Sequence, residues 1–558
     1  MTSIKEKINI NIISNYNLKI CSNLISESEN KNYNFNCKYY MGNILSAINQ
    51  IKKEEKKSSF TFFWNDISEL SNQFNRALRF EEVNLDKFDD EINLICLALE
   101  KIKQYTPNIF LINFSEIFYP GGNSLFQNFS PKMGTGYLIN RANNLIAEYF
   151  FKNENFYIIN SNSLSNLSFE KNSWYLAKIP FQIETLKNIS ILIKNLVLSL
   201  KGESKKLIIC DLDNTLWGGI IGDDGINGIN LGGHNPTGEA YKDFQKFLKN
   251  QKNKGIILAI SSKNEIEHVK KVFKNEEMIL KMEDFVEIKC NWDDKAKNIS
   301  KILNKLNISP NYTVFLDDSP VERNRVKEVF PEIESPDYMD NIFDAIEKIH
   351  KETWFENVNL TAEDRLRTDS YIASKKIKKM SNYNFNKKEI DNWIKNLEIK
   401  IFQSKLSDKN IKRTIQLMNK TNQLNTITRR MTEEEFLKWK KEYNAETYTY
   451  RVKDKFTDYG LTAILSLIHN NQEVKIYDFI LSCRIMGRNI ENKILQNVIE
   501  KYSQKSKSLI VQFNHTEKNK PMFKALMDSG LSNKESSFFW DFNKKYKKLN
   551  QIQMLEAD

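Results

Sequence analysis

Residues 207–219 read LIICDLDNTLWGG and combine a short apolar run with two aspartates. The apolar run predicts a buried strand, and Asp211 and Asp213 stand at its carboxyl end. Side chains two residues apart on an extended chain point the same way, so these carboxylates can share one hard cation and face one phosphoryl group. The stretch therefore predicts phosphate chemistry at a strand end, against the alternatives of a calcium-type loop or a chance acidic turn.

Two further apolar runs end in polar residues suited to the same site. One run leads into Ser261 and Ser262, and a hydroxyl at a strand end can hydrogen-bond a phosphate oxygen. We prefer Ser262 of this pair. The other run leads into Asp317 and Asp318, a second carboxylate pair suited to completing the coordination of Mg²⁺.

Lys295 lies between these two runs and offers an ammonium group that can offset the charge of a phosphate. A lone lysine is usually solvated surface, so the assignment of Lys295 depends on its place in the series. Strands alternate with helical stretches through this region, and the acidic and hydroxyl residues follow strands. That order is typical of an open, doubly wound α/β sheet with its site at the carboxyl ends of the strands.

These segments resemble the motifs of the haloacid dehalogenase (HAD) superfamily. The flank 211–219, with the glycine-rich stretches 222–225 and 231–233, resembles the FkbH-like branch, a subfamily IIIC phosphatase-like domain. In the superfamily the first aspartate, here Asp211, is the nucleophile and a Mg²⁺ ligand, and the second, here Asp213, binds Mg²⁺ through its carbonyl and acts as general acid and base. The resemblance implies Mg²⁺ at Asp211, Asp213, Asp317 and Asp318, and phosphate binding by Asn214, Ser262 and Lys295.

The spacing of the motifs predicts a domain without a cap. The interval from Asp213 to Ser262 holds a glycine-rich segment and one helix near 239–254, and the interval from Ser262 to Lys295 holds little more than a helix and a strand. An open site of this kind suits a phosphate presented by a large or tethered partner, such as the arm of a carrier protein.

Length and composition bound the other possibilities. A chain of 558 residues is too long for one core and predicts about three domains. No apolar run approaches the roughly 20 residues of a membrane span, and the amino terminus lacks the apolar region of a secretory signal. Six cysteines without paired spacing favour reduced thiols, so we expect a cytoplasmic protein without a membrane association, a zinc site or disulfides.

The net charge of +11 suits acidic partners such as an acyl carrier protein. Lysine and asparagine are abundant throughout the chain, however, which indicates a general compositional bias. No basic motif with interleaved aromatic residues is present, so we expect no binding of nucleic acid.

The amino-terminal region, 1–203, alternates short apolar runs with helical stretches, which predicts a parallel α/β sheet. It resembles the SGNH-hydrolase-like domain that precedes the HAD domain in long FkbH-like proteins. Ser14, Asn113 and the turn 121–123 stand loosely at the positions of the sequence blocks of that family. All five histidines lie outside this region, so a Ser–His esterase would have no base within it. We expect a degenerate domain used for binding or docking, with an esterase as the alternative.

The remaining boundaries follow from changes in pattern. The HAD-like domain is expected at 204–353, a helical linker at 354–389 and a third domain at 390–558. In the linker, a capping box at 361–364 predicts a helix over 360–380.

In the third domain, strands expected at 447–453, 460–467 and 474–481 lead into a turn that carries Arg484 and Gly487. A strand that opens through such a turn into a helix exposes backbone N–H groups to an anion. The turn resembles the acetyl-CoA-binding turn of GNAT acyltransferases, with Asn489 in place of the last small residue. The resemblance implies a GNAT-like α+β domain that binds a phosphopantetheine arm through Arg484, Gly487 and Arg488; the alternative is a packing turn without a ligand.

Over nearly the whole chain the resemblance implies an FkbH-like glyceryl transferase. Such proteins take the acyl unit of 1,3-bisphosphoglycerate, release phosphate and load the glyceryl group onto an acyl carrier protein as a thioester. The attacking thiol is either the carrier's own phosphopantetheine thiol or that of Cys483, for which a packing role is equally open. The alternatives are a Mg²⁺-dependent phosphatase acting through an aspartyl-phosphate, and a non-catalytic scaffold that docks a carrier protein.

Overall fold

The computed structural model describes most of the chain, and Cys483 by its backbone alone. The described residues are 5–30, 32–42, 44–53, 58–116, 126–151, 153, 155–161, 170–233, 235–356, 368, 394–455, 458–486, 488–516 and 518–557. The chain divides into two compact units, residues 1–197 with 351–353, and residues 198–350 with 354–558. Among the described helices, none has the length and apolar character needed to cross a membrane.

The first unit contains a five-stranded parallel sheet with the order β2-β1-β3-β4-β5. Its strands are β1 (Glu6–Ser14), β2 (Tyr33–Met41), β3 (Phe60–Phe63), β4 (Asn108–Ile112) and β5 (Phe156–Ile159). Its helices are α1 (Lys19–Glu27), α2 (Ile44–Lys52), α3 (Asn72–Leu78), α4 (Leu85–Lys103), α5 (Thr135–Phe150) and α6 (Lys171–Ala177), followed by α7 (Ile183–Leu200) at its end. Every residue of β3 and β4 is buried, as expected for strands covered on both faces.

Ser14 lies at the carboxyl end of β1 and is fully buried. Its hydroxyl donates a hydrogen bond to the carbonyl of Trp64 and accepts one from the backbone N–H of Tyr16. The hydroxyl therefore both donates and accepts a hydrogen bond within the unit. The turn 121–123 lies outside the described residues, and the non-hydrolytic assignment of this domain stays a prediction.

The second unit begins with a four-stranded parallel sheet of order β8-β7-β6-β9. Its strands are β6 (Leu207–Cys210), β7 (Ile257–Ser262), β8 (Phe285–Cys290) and β9 (Thr313–Leu316). Its helices are α8 (Ile221–Gly228), α9 (Pro236–Asn253), α10 (Ile266–Val272), α11 (Lys295–Leu306), α12 (Pro320–Val329) and α13 (Ile342–Glu352). Alternate residues of β6 face two separate apolar clusters, so helices cover both faces of the sheet.

The connections of this sheet confirm the predicted capless α/β domain. Between β6 and β7 the described chain forms only α8 and α9, and between β7 and β8 only α10 and one short 3₁₀ turn. The carboxyl ends of the strands are therefore not covered by an inserted domain within the described residues.

A buried ion pair holds α9 against the segment that precedes β8. The Asp284 side chain is 1% exposed and accepts hydrogen bonds from Lys249 Nζ and Lys252 Nζ, each at 2.7 Å. Burial raises the pKa of Asp284, but the two ammonium groups outweigh this effect and bring the pKa below its ordinary value of 3.8. A depressed carboxylate pKa contributes stability at neutral pH, and this contribution is lost as the pH falls through the folded-state pKa.

We therefore expect Asp284→Asn to lower the free energy of unfolding of the second unit by about 2 kcal/mol at neutral pH. The difference from the unaltered protein is expected to shrink below pH 3.8, where the Asp284 carboxylate is protonated in the unfolded chain and becomes protonated in the folded one. Urea unfolding at several pH values measures both effects. Asp243→Asn, which breaks an exposed pair with Lys246, is the matched control and should be nearly neutral.

The carboxyl-terminal region forms an eight-stranded mixed sheet of order β15-β16-β14-β13-β12-β11-β10-β17. Its strands are β10 (Lys400–Lys405), β11 (Glu446–Lys453), β12 (Asp458–His469), β13 (Glu473–Leu481), β14 (Ser508–Gln512), β15 (Ser532–Lys534), β16 (Ser537–Asp541) and β17 (Gln553–Glu556). Its helices are α14 (Ile411–Lys420), α15 (Glu433–Glu442), α16 (Ile490–Tyr502) and α17 (Lys520–Asp528). The predicted α+β class is confirmed. The domain boundaries stay predictions, and the helix expected over 360–380 lies outside the described residues except for Thr368.

The parallel strands β13 and β14 pair only over their first four residues, Glu473–Ile476 with Ser508–Val511. Beyond that point the segment 424–426 lies between them. The N–H of Leu481 donates to the carbonyl of Leu424 at 2.8 Å, and the N–H of Asn514 donates to the carbonyl of Thr426, also at 2.8 Å. The gap between the two strands is therefore filled by the chain itself.

Candidate active site

Four charged side chains meet at the carboxyl ends of β6 and β9. Carboxylate oxygens of Asp211, Asp317 and Asp318 lie within 4.8 Å of one another. Lys295, the first residue of α11, places its Nζ 3.1 Å from Asp211 Oδ2 and 2.6 Å from Asp317 Oδ2. Asp211, Lys295 and Asp317 are each at most 6% exposed, so this carboxylate cluster is screened little by water.

The cluster carries an excess of negative charge. Burial, together with the charge of Asp211, raises the pKa of Asp317 and of Asp318. Burial also opposes the charge of Lys295, but the neighbouring Asp211 and Asp317 outweigh it and raise the pKa of the lysine, which stays an ammonium. One ammonium cannot balance three carboxylates, so the cluster favours a bound cation.

One carboxylate oxygen of the cluster has no hydrogen-bond partner among the described residues. Asp211 Oδ1 is buried and has no hydrogen-bond partner among the described residues, whereas Oδ2 faces Lys295. A buried carboxylate oxygen without a partner is costly unless it binds a cation or a ligand. Three carboxylates of this kind fit a hard divalent cation.

Asp213 is close in sequence but its carboxylate is held by other donors. Oδ1 accepts hydrogen bonds from Trp217 Nε1 at 2.9 Å and the N–H of Ile221 at 3.1 Å, and Oδ2 accepts one from Asn264 Nδ2 at 2.9 Å. Burial raises the pKa of Asp213, and these three donors lower it in part. A fixed carboxylate with a raised pKa suits proton transfer. Its carboxylate is not part of the described metal-binding group, and coordination through its carbonyl stays a prediction.

Ser262 and Asn214 both lie near Asp213, Ser262 through the shared partner Asn264 and Asn214 as the next residue of the chain. Ser262, the last residue of β7, is 1% exposed, and its Oγ accepts a hydrogen bond from Asn264 Nδ2 at 3.1 Å. Asn214 has a left-handed backbone (φ 50°), and its Oδ1 accepts a hydrogen bond from the N–H of Gly219 at 2.8 Å. The Asn214 side chain thus fixes the turn after β6. The predicted phosphate contacts of both residues stay predictions.

Two residues that hold the site together were not assigned from the sequence. Asn264 bridges Asp213 and Ser262 through one amide nitrogen, and its place two residues after Ser262 was the available signal. Arg323 is 3% exposed and donates from Nη1 to the carbonyls of Asp317 and Asp318, at 2.8 and 2.6 Å. It fixes the backbone that carries the second carboxylate pair, and no local sequence pattern indicates this contact.

The two cysteines near the cluster are poor nucleophiles. Cys210 is fully buried, and burial together with the charge of Asp211 raises the pKa of its thiol. The same two causes, with a further contribution from Asp213, raise the pKa of Cys290 to about 12. Both are therefore neutral thiols near neutral pH, as expected for core residues.

The predicted ligand turn of the third domain is only partly described. Gly487 and the side chain of Cys483 lie outside the described residues. Arg484 is 4% exposed and donates from Nε to Ser482 Oγ at 3.0 Å. Arg488 is 1% exposed and donates from Nη2 to Tyr459 Oη at 2.9 Å.

The Arg488 side chain is anchored in the interior of its domain. Its Nε lies 3.7 Å from Asp454 Oδ2, and its guanidinium stacks over the ring of Tyr459 at 4.7 Å. An arm running along the end of β13 would also have to displace the segment 424–426. Binding of phosphopantetheine at this turn stays a prediction.

Comparisons with known proteins identify one informative likeness. Neither a known family model nor a curated protein matches the chain. The structure is similar to that of the N-terminal part of the protein BF1531 from Bacteroides fragilis, which contains a phosphatase domain and is complexed with Mg. The two sequences are 26% identical, the match covers 64% of this chain and 96% of that chain, and the TM-score is 0.56.

Two weaker likenesses concern about a quarter of the chain. A domain from Methanocaldococcus jannaschii matches at 14% identity and a TM-score of 0.22, covering 26% of this chain and 97% of that one. Ard1 from Thermoplasma volcanium matches at 11% identity and a TM-score of 0.21, covering 25% of this chain and 97% of that one. Scores this low support no conclusion about the third domain.

Proposed function

We propose that this protein is a Mg²⁺-dependent enzyme of the FkbH-like type, which releases both phosphates of 1,3-bisphosphoglycerate and loads the glyceryl group onto an acyl carrier protein. The observation that carries the proposal is the cluster of Asp211, Lys295, Asp317 and Asp318 at the uncovered carboxyl ends of β6 and β9. The Mg complex of the Bacteroides fragilis protein supports the choice of metal.

Asp211, Asp317 and Asp318 would hold the Mg²⁺, because their oxygens are close together and Asp211 Oδ1 has no other partner among the described residues. When bound, the ion supplies positive charge that stabilises phosphoryl oxygens. Lys295 contributes a second positive charge to the same cluster, next to Asp211. Ser262 offers a hydroxyl to a phosphate oxygen, and its hydrogen bond from Asn264 fixes its position.

The acyl transfer requires attack at carbon rather than at phosphorus. The thiol of the carrier arm adds to the C1 carbonyl of the acyl phosphate, and the bond from that carbon to the bridging oxygen breaks. The phosphate leaves with the electron pair of that bond, and Lys295 and Ser262 stabilise its charge. Asp213, with its raised pKa, accepts the thiol proton. In this step Asp211 serves as a ligand and not as a nucleophile. The C3 phosphate is released in a separate hydrolysis, in which water attacks its phosphorus and the C3 oxygen leaves as the hydroxyl of the glyceryl group.

A plain phosphatase is the second candidate function, and the free Asp211 Oδ1 favours it. In that reaction this oxygen attacks the phosphorus of the acyl phosphate, the bond from phosphorus to the bridging oxygen breaks and 3-phosphoglycerate leaves as a free carboxylate. Water then hydrolyses the aspartyl-phosphate with Asp213 as base. The acyl activation is lost, so this route cannot yield a thioester.

Intact-protein mass spectrometry separates the two reactions. We expect a holo acyl carrier protein, incubated with this protein, Mg²⁺ and 1,3-bisphosphoglycerate, to gain the mass of one glyceryl group while two phosphates are released for each group loaded. Chelation of Mg²⁺ is the control and should stop both changes.

Phosphate release with an unmodified carrier, across several carriers, would contradict the transferase and support the phosphatase. No change in either assay, combined with carrier binding that survives loss of the Asp211 charge, would support a docking scaffold instead.

A further inference from the structure

A cavity of about 130 Å³ lies inside the second unit, between the four-stranded sheet and the carboxyl-terminal domain. On the sheet side it is lined by Lys206 and Tyr312, which directly precede β6 and β9. Asp211 and Asp317 follow the other ends of these strands. A strand of four residues with its flanks spans about 16 Å, so the cavity is separated from the carboxylate cluster by the length of the sheet.

The walls of the cavity are positively charged. Its basic lining residues are Lys206, Arg413, Lys420, Arg484 and Lys518. None of its described lining residues is acidic. Arg413 and Arg484 are only 7% and 4% exposed, so their charges act in a medium that screens them little. An anion is the ligand that such a lining stabilises.

Two amide side chains of the lining have unused polar atoms. Asn307 Nδ2 and Gln423 Oε1 are buried and have no hydrogen-bond partner among the described residues. The other atom of the Gln423 amide, Nε2, donates to the carbonyl of Asn307 at 3.2 Å, which fixes the orientation of that side chain. One free donor and one free acceptor suit a ligand that brings both an anionic oxygen and a hydroxyl group.

The wall is built jointly by the sheet and the carboxyl-terminal domain. The ring centre of Tyr312 lies 3.8 Å from Lys206 Nζ and 5.9 Å from Lys518 Nζ. The hydroxyl of the same tyrosine accepts a hydrogen bond from Asn422 Nδ2 at 3.2 Å. A molecule in the cavity would therefore contact residues of both parts of the unit.

We infer that this cavity is a second binding site, which takes the phosphate monoester of a short polyol. The basic lining recognises the phosphate, the two free amide groups recognise a hydroxyl and a phosphate oxygen, and apolar residues such as Leu417 and Leu424 contact the carbon chain. A cavity of about 150 Å³ holds a ligand of the size of benzene, so this slightly smaller one encloses about six non-hydrogen atoms, and the rest of a short polyol ester would extend through its open side. The site is independent of the reaction at the carboxylate cluster.

Calorimetric titration of the full-length protein with glycerol 3-phosphate, in a chelator to remove divalent cations, tests this inference. We expect one site, unchanged in Asp211→Asn. The double variant Lys420→Gln/Lys518→Gln, which alters two residues that are not fully buried, should weaken binding by about tenfold or more. Lys409→Gln/Lys524→Gln removes the same charge from two exposed positions and should bind normally.

Three results would overturn the inference. Loss of binding in Asp211→Asn would place the ligand at the carboxylate cluster. Equal weakening of binding in both double variants would show that only the net charge of the protein matters. Inorganic phosphate that binds as tightly as the ester would exclude a polyol ester as the ligand. Hydrogen exchange of the unaltered protein gives an independent measure, because bound ester should protect backbone amides in 306–312 and 420–424.

Discussion

Asp211→Asn is expected to reduce both phosphate release and carrier acylation by at least about 1,000-fold. The substitution keeps the shape of the side chain but removes its charge. In the transferase this weakens the Mg²⁺ site, and in the phosphatase it also removes the nucleophile. Both activities are therefore expected to fall together, as measured by phosphate release and by the mass of the carrier.

A stability measurement distinguishes loss of chemistry from loss of folding. Asp211→Asn relieves repulsion among three close carboxylates, so without Mg²⁺ the variant should unfold at the same or a higher temperature than the unaltered protein. The rise in unfolding temperature that Mg²⁺ causes should be reduced in the variant, because binding to the folded state stabilises it by mass action.

Asp293→Asn provides the matched control for this experiment. Asp293 lies in the loop before α11, its side chain is 42% exposed, and it pairs with Lys301 at 2.9 Å. The same chemical change there should leave both activities and the response to Mg²⁺ intact. Full activity in Asp211→Asn would remove the carboxylate cluster from the reaction.

The strands that carry the site could be predicted because they are central strands of a parallel sheet. Every residue of β6, β7 and β9 is buried, so these strands read as continuous apolar runs, and the polar residues that follow them mark the site edge. Strand β2 escaped prediction for the opposite reason. It lies at an edge of its sheet, and aromatic and polar residues are mixed along it. Only three of its nine residues, Tyr33, Phe35 and Tyr40, are buried.

Contacts between distant segments could not be predicted from the sequence. The turn with Arg484 and Arg488 resembles an anion-binding turn, but a linear motif does not fix the direction of a side chain, and Arg488 points to Tyr459 inside the domain. The insertion of 424–426 between β13 and β14 depends on backbone hydrogen bonds, which carry no sequence signature. The carboxylate cluster differs because its members each follow a strand of one sheet.

Lys295→Met is the second variant with a large expected effect, and it separates the two roles of the lysine. Loss of the ammonium leaves three close carboxylates without their buried counter-charge. We expect the free energy of unfolding without Mg²⁺ to fall by about 3 kcal/mol, and activity to fall by about 100-fold or more because the phosphate loses a cation. Lys301→Met, in the same helix but 44% exposed, should change neither quantity appreciably.

The response of Lys295→Met to Mg²⁺ and to pH tests the balance of charge directly. Without the lysine, repulsion raises the pKa values of Asp317 and Asp318 in the folded state further above their unfolded values, so stability should increase as the pH falls and these two carboxylates become protonated. Mg²⁺ should raise the unfolding temperature of this variant more than that of the unaltered protein. The reason is that the ion then supplies the positive charge that the described cluster lost with the Lys295 ammonium. A variant with unchanged stability, unchanged pH dependence and an unchanged response to Mg²⁺ would show that Lys295 does not neutralise the cluster, and its role would then be limited to contact with the substrate.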